Sequence, residues 1–449
     1  DLHRRRHSFP TRRSSDLVNN GVLIFNRSDD VAFDKNISGT GNVVKNNTNT
    51  VTYTGAGTYS GITYVNGGTL SVGAGSTAGS VTSNINNKAN VTFNRSDALT
   101  YAGIVSGTGT LTKTGDGSLT LTANQTYTGA TTISEGQLVL SNNAPTKGTS
   151  SFGGAGQLVI QPTGNDFSAD FSTSGWTFGS TLGGLTIGKS ATSADGNGDV
   201  NVTVANAISI TGPIAIYGKD LVVNGALTST AADGMITLKG SGAVSRGANG
   251  FVVADRLLLL GGNVTLDHAS NNVNTLATSG VGSVKYWNSN ALTIGTVSGT
   301  DGISATGAVD VQTLTGNLTV AKNVATGDGS TSAITLNASR STNIASAAPA
   351  VGADTAGDIL IGNGVSIATG ANGRVVLYTG SIDNSAGVKA AAGCSTPLES
   401  CTNLRYGSDE TTTRYSSALG SGTFAIYRER PTLGSGYVYG DSLPAGIQV

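Results

Sequence analysis

The chain is 449 residues long, with 65 Gly, 8 Pro, 37% apolar residues and a formal net charge of −1. Charged residues make up 12%, against roughly 25% in an average globular protein. So small a net charge leaves no electrostatic footprint for nucleic acid or an anionic membrane, and the longest apolar run, around Leu257 to Leu260, is too short to cross a bilayer.

Low charge with abundant Gly and Ser is also what a disordered linker shows. Here, though, Val, Ile and Leu recur in short runs separated by Gly, Asn, Asp, Ser and Thr, the pattern of many strands with tight turns. No stretch keeps the three-and-four apolar spacing of a helix, so the expected fold is all-β.

In chain order, Asp1 to Leu17 comes first, a basic segment unlike the rest. It has the basic start of an export signal without the apolar core. It resembles the conceptual translation of a sequencing adapter, with Asp1 to His3 and His7 to Leu17 on the constant parts and Arg4 to Arg6 on the variable index. A basic arm for nucleic acid or lipid is the rival reading. Taken as an artefact, the segment removes five Arg, two Asp and two His, leaving a net charge of −4 and one histidine, His268. The authentic N-terminus is then expected further upstream.

Two copies of a 68-residue unit follow, over about 18–143. Phe25-Asn26-Arg27-Ser28-Asp29 recurs as Phe93-Asn94-Arg95-Ser96-Asp97, and Ile37-Ser38-Gly39-Thr40-Gly41 as Val105-Ser106-Gly107-Thr108-Gly109. Thr58-Tyr59-Ser60-Gly61 recurs as Thr126-Tyr127-Thr128-Gly129 without a gap. Gly68, Leu70 and Val72 map onto Gly136, Leu138 and Leu140, so apolar alternation persists where polar residues drift. In the second copy, Gly109 to Leu121 (GTLTKTGDGSLTL), Tyr127 to Ile133 and Glu135 to Leu140 closely resemble the autotransporter-associated β-strand repeat of Gram-negative surface proteins. The first copy has Lys45-Asn46-Asn47-Thr48-Asn49 in place of the Lys-x-Gly-x-Gly turn and is expected to be degenerate.

From about Thr192 an apolar-Thr-apolar motif recurs at Val202–Val204, Ile236–Leu238, Val264–Leu266, Leu292–Ile294, Leu318–Val320 and Ile334–Leu336. The middle four are 28, 28 and 26 residues apart, which predicts rungs of that length. Each motif puts two apolar residues on one face and Thr on the other. One rung cannot bury its own apolar face, so stability must come from its neighbours. Asn271 to Ala277, Asn290 to Gly295, Gly357 to Ile361 and Gly373 to Gly380 are similar to repeats of filamentous-haemagglutinin-type exoproteins. That resemblance, over about Ile208 to Pro431, implies a right-handed parallel β-helix and export through an outer-membrane partner.

From about Ala386 both cysteines, several aromatics and a charge cluster appear. Arg405 to Thr413 and Ala425 to Pro431 resemble the segment closing such arrays, and Tyr439 to Pro444 the opening of a bacterial immunoglobulin-like module, cut short at Val449. Cys394 and Cys401 flank six residues; a disulfide fits an extracytoplasmic setting, with free thiols or half a metal site as the alternatives.

Candidates for chemistry each have a plainer reading. His268 after Asp267 formally allows a Ser-His-Asp arrangement, but Ser and Asp are frequent here and a turn histidine is the simpler account. Asp195-Gly196-Asn197-Gly198-Asp199 alternates oxygen ligands like a calcium loop, yet Val200 and Asn206 stand where that loop needs Gly and Glu. Gly39-Thr40-Gly41 and Gly107-Thr108-Gly109 read as turns, with no helix to present a phosphate site. Asp116, Asp233, Asp301, Asp328 and Asp358 sit singly beside Gly, where turn propensity explains them, rather than as the paired carboxylates of a β-helix lyase or hydrolase. Arg405 to Glu410 with Arg414 is the one charge-dense stretch. Trp176 and Trp287, with Tyr286, are either sugar-stacking platforms or core filler.

These readings combine into an all-β, right-handed parallel β-helix, with room for a short β-hairpin cap near the C-terminus. The expected parts are an adapter-like 1–17, two β-strand repeats at 18–145, haemagglutinin-like rungs at 146–385, a Cys-containing closing segment at 386–432 and a truncated module at 433–449. The expected function is that of a non-catalytic segment of a large surface-exposed or secreted adhesin, with no cofactor or metal. Its partners would be host or surface glycans or proteins and an outer-membrane transporter. A pure stalk or a polysaccharide-degrading enzyme are the alternatives. No Arg-Gly-Asp tripeptide is present.

Overall fold

The computed structural model describes residues 16–146, 151–190, 200–340, 356–394 and 401–430. Residues 1–15 of the adapter-like segment, the Asp195–Asp199 loop and the module start at 433–449 lie outside the described residues. Two compact units are present, one running to Thr163 and including Trp176–Gly183, the other formed by Gly164–Gly175 and the chain from Gly184. Each is a β-solenoid, a stack of short strands paired in parallel with the strands one coil away.

In the first unit three faces follow one another around the coil. Face I carries Leu17–Val18, Ile37–Ser38, Ala56–Gly57 and Ser80–Val81. Face II carries Val22–Phe25, Asn42–Lys45, Thr63–Val65, Ile85–Asn87 and Val105–Ser106. Face III runs from Val31–Phe33 through Thr50–Tyr53, Thr69–Ser76, Asn90–Arg95 and Thr110–Thr114 to Thr131–Ile133 and Phe152–Gly153. Leu99–Tyr101, Ser118–Leu121, Gln137–Ser141 and Gln157–Gln161 then take the place in the coil that face I held. Paired residues are mostly 20 apart, as in Leu23↔Val43, Val31↔Val51 and Leu111↔Thr131.

A coil of 20 residues makes the 68-residue repeat three coils plus one face. Val43 on face II corresponds to Leu111 on face III, Val51 on face III to Leu119 on face I, and Ile37 on face I to Val105 on face II. The two copies therefore share local structure but point in directions one face apart. Inward positions hold the core: Val51, Val65, Val72, Ile85, Val91, Leu111 and Leu138 are all buried. Each apolar side chain rests on the one above it, because the parallel register repeats every strand on its neighbour.

The corners are fixed by side chains that reach the next coil. Asn20, Asp30, Asn36, Asn42 and Asn84 each accept, through Oδ1, the backbone N–H of the residue 20 further on. These groups satisfy turn donors that no strand pairing reaches. The first copy is not degenerate in structure. Asn47 takes the left-handed conformation (φ 61) that Gly115 takes in the second copy (φ 79), as Asn does more readily than other side chains. Gly68 and Gly136 share φ 62, and a Cβ there would meet the carbonyl oxygens of Asn49 and Gly117 at 2.2 and 2.4 Å.

In the second unit one column stacks Val202–Val204, Leu221–Val223, Val244–Arg246, Val264–Leu266, Val284–Asn288, Val309–Thr313 and Ile334–Asn337. Successive coils are 19 to 25 residues long there, not the 26–28 expected from the Thr motifs. Those motifs fall on different faces: Ile236–Leu238 stacks on Ile214–Ile216, and only Leu292–Ile294 and Leu318–Val320 are direct neighbours. Within each motif both apolar residues are buried, as expected.

The only antiparallel pair among the described residues is Thr296–Val297 with Thr300–Asp301. Near the C-terminus the described strands Leu404–Arg405 and Gly422–Tyr427 pair in parallel, so this closing piece is not the hairpin expected there. A single turn of helix, Val388–Ala391, precedes it.

Lys45 and Lys113, one repeat apart, are buried with their ammonium groups turned onto the corner. Lys113 Nζ donates to the carbonyls of Thr114 (3.0 Å) and Gly115 (2.6 Å), and Lys45 Nζ to those of Asn46 and Asn47 and to Asn49 Oδ1. Burial draws both ammonium pKa values below the usual lysine value, opposed by Asp30 for Lys45 and by Glu135 and Asp116 for Lys113. Lys113→Met keeps the apolar stem but leaves those carbonyls unpaired, a loss of about 1–3 kcal/mol. The exposed Lys88→Met should change stability by less than about 0.5 kcal/mol. Denaturant midpoints of the two variants test this; equal midpoints would remove the corner role of Lys113.

Candidate functional site

The outward side of the Val264–Ile334 column carries the densest set of chemically distinct groups. Alternation along a strand sends Lys285 and Trp287 outward while Val284, Tyr286 and Asn288 go in. The register then sets Lys285 beside Asp310 and Trp287 beside Gln312. Asp267, just after Val264–Leu266, accepts from Arg246 Nε at 2.7 Å and lies 2.9 Å from Lys285 Nζ. Partial burial acts to raise the Asp267 carboxyl, but the hydrogen bonds and charges of Lys285 and Arg246 outweigh it and hold the pKa below the usual value. Asp310 is shifted the other way. Burial pushes it up, against the Gln312 Nε2 hydrogen bond and the charges of Lys285 and Arg340. Arg340 lays its guanidinium over the Trp287 ring, 3.8 Å from the centroid, and Lys285 Nζ is 5.3 Å from it.

The residues singled out in the sequence separate clearly on this frame. Tyr286 is fully buried and donates to Asn288 Oδ1, so it belongs to the core while Trp287 belongs to the surface. Trp176 stacks with Phe152 and Phe178 in the first unit, with ring centroids 5.8 and 6.3 Å away, and is only 9% exposed. It fills core. His268 stacks on Phe251, and its Nδ1 accepts the Ser270 N–H at 3.0 Å. With Nδ1 facing that donor and Asp267 facing Arg246 and Lys285, the two do not form the His–Asp half of a triad.

The single acidic residues act as turn and corner groups. Asp328 accepts from Ser330, Asp301 from Thr296, and Asp358 from the Ser381 N–H. Asp116 borders a shallow polar depression with Ser118, Gln137 and Gln157. No cluster of three or more His, Cys, Asp or Glu suited to a metal occurs among the described residues.

The charge-dense C-terminal stretch is turned largely inward, with Arg414 the exposed exception. Arg428 is fully buried, donating to the Ala338 carbonyl at 2.6 Å and to Asn337 Oδ1 at 2.7 Å, with Glu410 at 3.4 Å. Arg405, 3% exposed, packs near the rings of Tyr415 and Phe424. Asp409 accepts the N–H groups of Thr411 and Thr412. Arg405, Asp409 and Arg428 are thus spent inside the fold and offer little to a ligand. Cys394 and Cys401 have Cα atoms 5.4 Å apart, within disulfide reach, and their sulfur atoms are in contact.

Sequence reasoning named Trp287 but missed Lys285, Asp310, Gln312 and Arg340. They span 56 residues, and only the coil register brings them together.

Residues 43–72 and 111–140 match the Passenger-associated-transport-repeat family. A stretch of 111 residues is 36% identical to the adhesin BmaC autotransporter of Brucella suis biovar 1 (strain 1330), covering 24% of this chain and 3% of that protein. No solved structure matches. The chain thus carries two autotransporter passenger repeats and is similar to an autotransporter adhesin.

The raised pKa of Asp310 has a definite sign for stability. The folded state binds the Asp310 proton more tightly than the unfolded chain, so ionisation disfavours folding. That penalty is fully present above the folded pKa and vanishes below the unfolded value of about 3.9. Asp310→Asn should therefore raise the melting temperature at pH 7.5, with the gain shrinking as the pH is lowered towards 4. Thermal melts across that range check it, and a gain independent of pH would contradict it.

Proposed function

We propose that this chain is a non-catalytic β-solenoid segment of a large bacterial surface-exposed or secreted adhesin that mediates attachment to cells or surfaces. The observation that carries this reading is the pair of passenger repeats built into the coils, together with the 111 residues similar to an autotransporter adhesin. A stack of coils separates structure from display. The core and corners hold the fold, while outward side chains are free to vary without disturbing the register.

On this reading the protein lies at the cell surface of a Gram-negative bacterium, exported through an outer-membrane transporter, and its partners are host or surface glycans or proteins. Residues 18–145 are the passenger repeats, 146–385 haemagglutinin-like rungs and 386–432 the closing segment. The purified 449-residue chain, immobilised on beads, should bind cultured epithelial cells saturably, and soluble chain should compete. Binding no better than that of albumin-coated beads would favour a stalk instead.

We also propose that Cys394 and Cys401 form a disulfide in the exported protein, which their 5.4 Å Cα separation supports. Alkylation before reduction should leave the intact mass unchanged, and alkylation after reduction should add two labels. Two labels before reduction would sink the assignment.

A further inference from the structure

The Trp287 cluster has unfinished chemistry. Gln312 is only 9% exposed; its Nε2 donates to Asp310 Oδ1 at 2.5 Å, while its Oε1 has no hydrogen-bond partner. Trp287 Nε1, on the neighbouring coil in direct register, has none either. A buried donor and a buried acceptor left unpaired each cost free energy, and on register-paired residues they are complementary to one hydroxyl, which accepts from the indole and donates to the amide oxygen.

The charges point further. Arg246 and Lys285 are both engaged by Asp267, at 2.7 and 2.9 Å. Arg340 has no carboxylate partner among the described residues, although its backbone N–H is held by the Thr313 carbonyl and its guanidinium by the Trp287 ring. Its charge acts on the Asp310 carboxyl without a salt bridge to it, and a guanidinium in a fixed plane suits a carboxylate. A partly buried indole beside it supplies an apolar surface of the kind sugar rings pack on.

We propose that Trp287, Gln312 and Arg340 form a binding site for a carboxylate-bearing sugar residue. The sugar ring packs on the indole surface that Arg340 leaves open. One of its hydroxyls bridges Trp287 Nε1 and Gln312 Oε1, and its carboxylate pairs with Arg340. Arg246 and Lys285 are held in ion pairs with the shared Asp267, so Arg340, over the indole, is the cation placed to set the preference for acid over neutral sugars. The site rests on the reading of the chain as a binding segment, and it assigns that binding to one corner shared by neighbouring coils.

The test is calorimetric titration of the full 449-residue chain with trigalacturonate and with its methyl ester, beside the Trp287→Ala and Arg340→Gln variants. Wild type should bind the acid at least about tenfold more tightly than the ester. Arg340→Gln should reduce the acid to the level of the ester, and Trp287→Ala should weaken both by about tenfold or more. Both side chains are partly exposed, so melting temperatures near that of wild type are expected; if Trp287→Ala unfolds, Arg340→Gln with the two ligands decides alone. No binding of trigalacturonate, as when a water alone fills the gap, overturns the site. So does equal affinity for acid and ester, or variants that bind like wild type. Cell attachment by wild type that persists unchanged in both variants sinks the site and leaves the adhesin reading standing; no attachment by wild type sinks that reading separately.

Discussion

The parallel coil-to-coil register is the constraint on which everything else in this protein depends. A strand of three to five residues has only two or three inward side chains, too few to bury by themselves. Stacked in register, Val202, Leu221, Val244, Val264, Val284, Val309 and Ile334 form one continuous apolar column, each covered by the next. Burial of this kind stabilises by roughly 25 cal/mol per Å² of apolar surface. It accrues only when neighbouring coils agree in register, because a one-residue slip would turn every apolar residue to water. The corner carboxamides, such as Asn42 on the Ile62 N–H and Asn263 on the Ser283 N–H, reward the same register with hydrogen bonds.

That constraint explains which features were legible in the sequence. Alternation survives in most strands because inward positions must match the coil above, so the all-β character is legible in stretches such as Val51-Thr52-Tyr53 and Leu318-Thr319-Val320. Coil length could not. The Thr motifs stand out because Thr is polar between two apolar residues, yet Leu221-Val222-Val223 buries the same two positions without Thr, and in Leu257-Leu258-Leu259 the middle residue is buried too, with Ala277 and Val297. Counting only the marked strands joined different faces into one apparent period. The degenerate first copy misled for a related reason. Glycine marks such a turn in sequence, whereas the structure needs a left-handed residue and a group on the Lys45 ammonium, and Asn47 and Asn49 provide both.

The surface cluster was harder to see because it is a property of register and not of local sequence. Trp176 and Trp287 are alike in isolation, yet Trp176, outside any strand, stacks on Phe152 and Phe178, whereas strand phase sends Trp287 outward. Arg340 reaches Trp287 because the chain turns at Ser339, a non-glycine residue with φ 58, right after the strand Ile334–Asn337. Nothing local marks that residue as a partner of one 53 positions earlier. The charged C-terminal stretch shows the converse. Arg405, Asp409 and Glu410 stand out in sequence as a charge-dense run, and Arg405 and Asp409 are buried in the structure, as is Arg428.

The geometry of the repeats bears on how an adhesin of this kind could use them. Repetition suggests avidity, with identical motifs meeting identical ligands on one surface. A unit of three coils plus one face works against that. The Arg27–Asp29 pair follows a face II strand and the Arg95–Asp97 pair a face III strand, so identical sequences look in different directions. Their surroundings differ too. Arg27 is 64% exposed in its side chain, whereas Arg95 is 11% exposed and donates to the Gly79 carbonyl that the longer strand Thr69–Ser76 brings near. A flat partner therefore meets one copy and not the other. What the two copies share is the inside of the coil, the buried lysine, the Tyr59 and Tyr127 hydroxyls on Thr63 and Thr131, and the Asn19 and Asn87 corners. Selection on the repeat is then read most simply as selection for stacking, with binding left to unrepeated features such as the Trp287 corner.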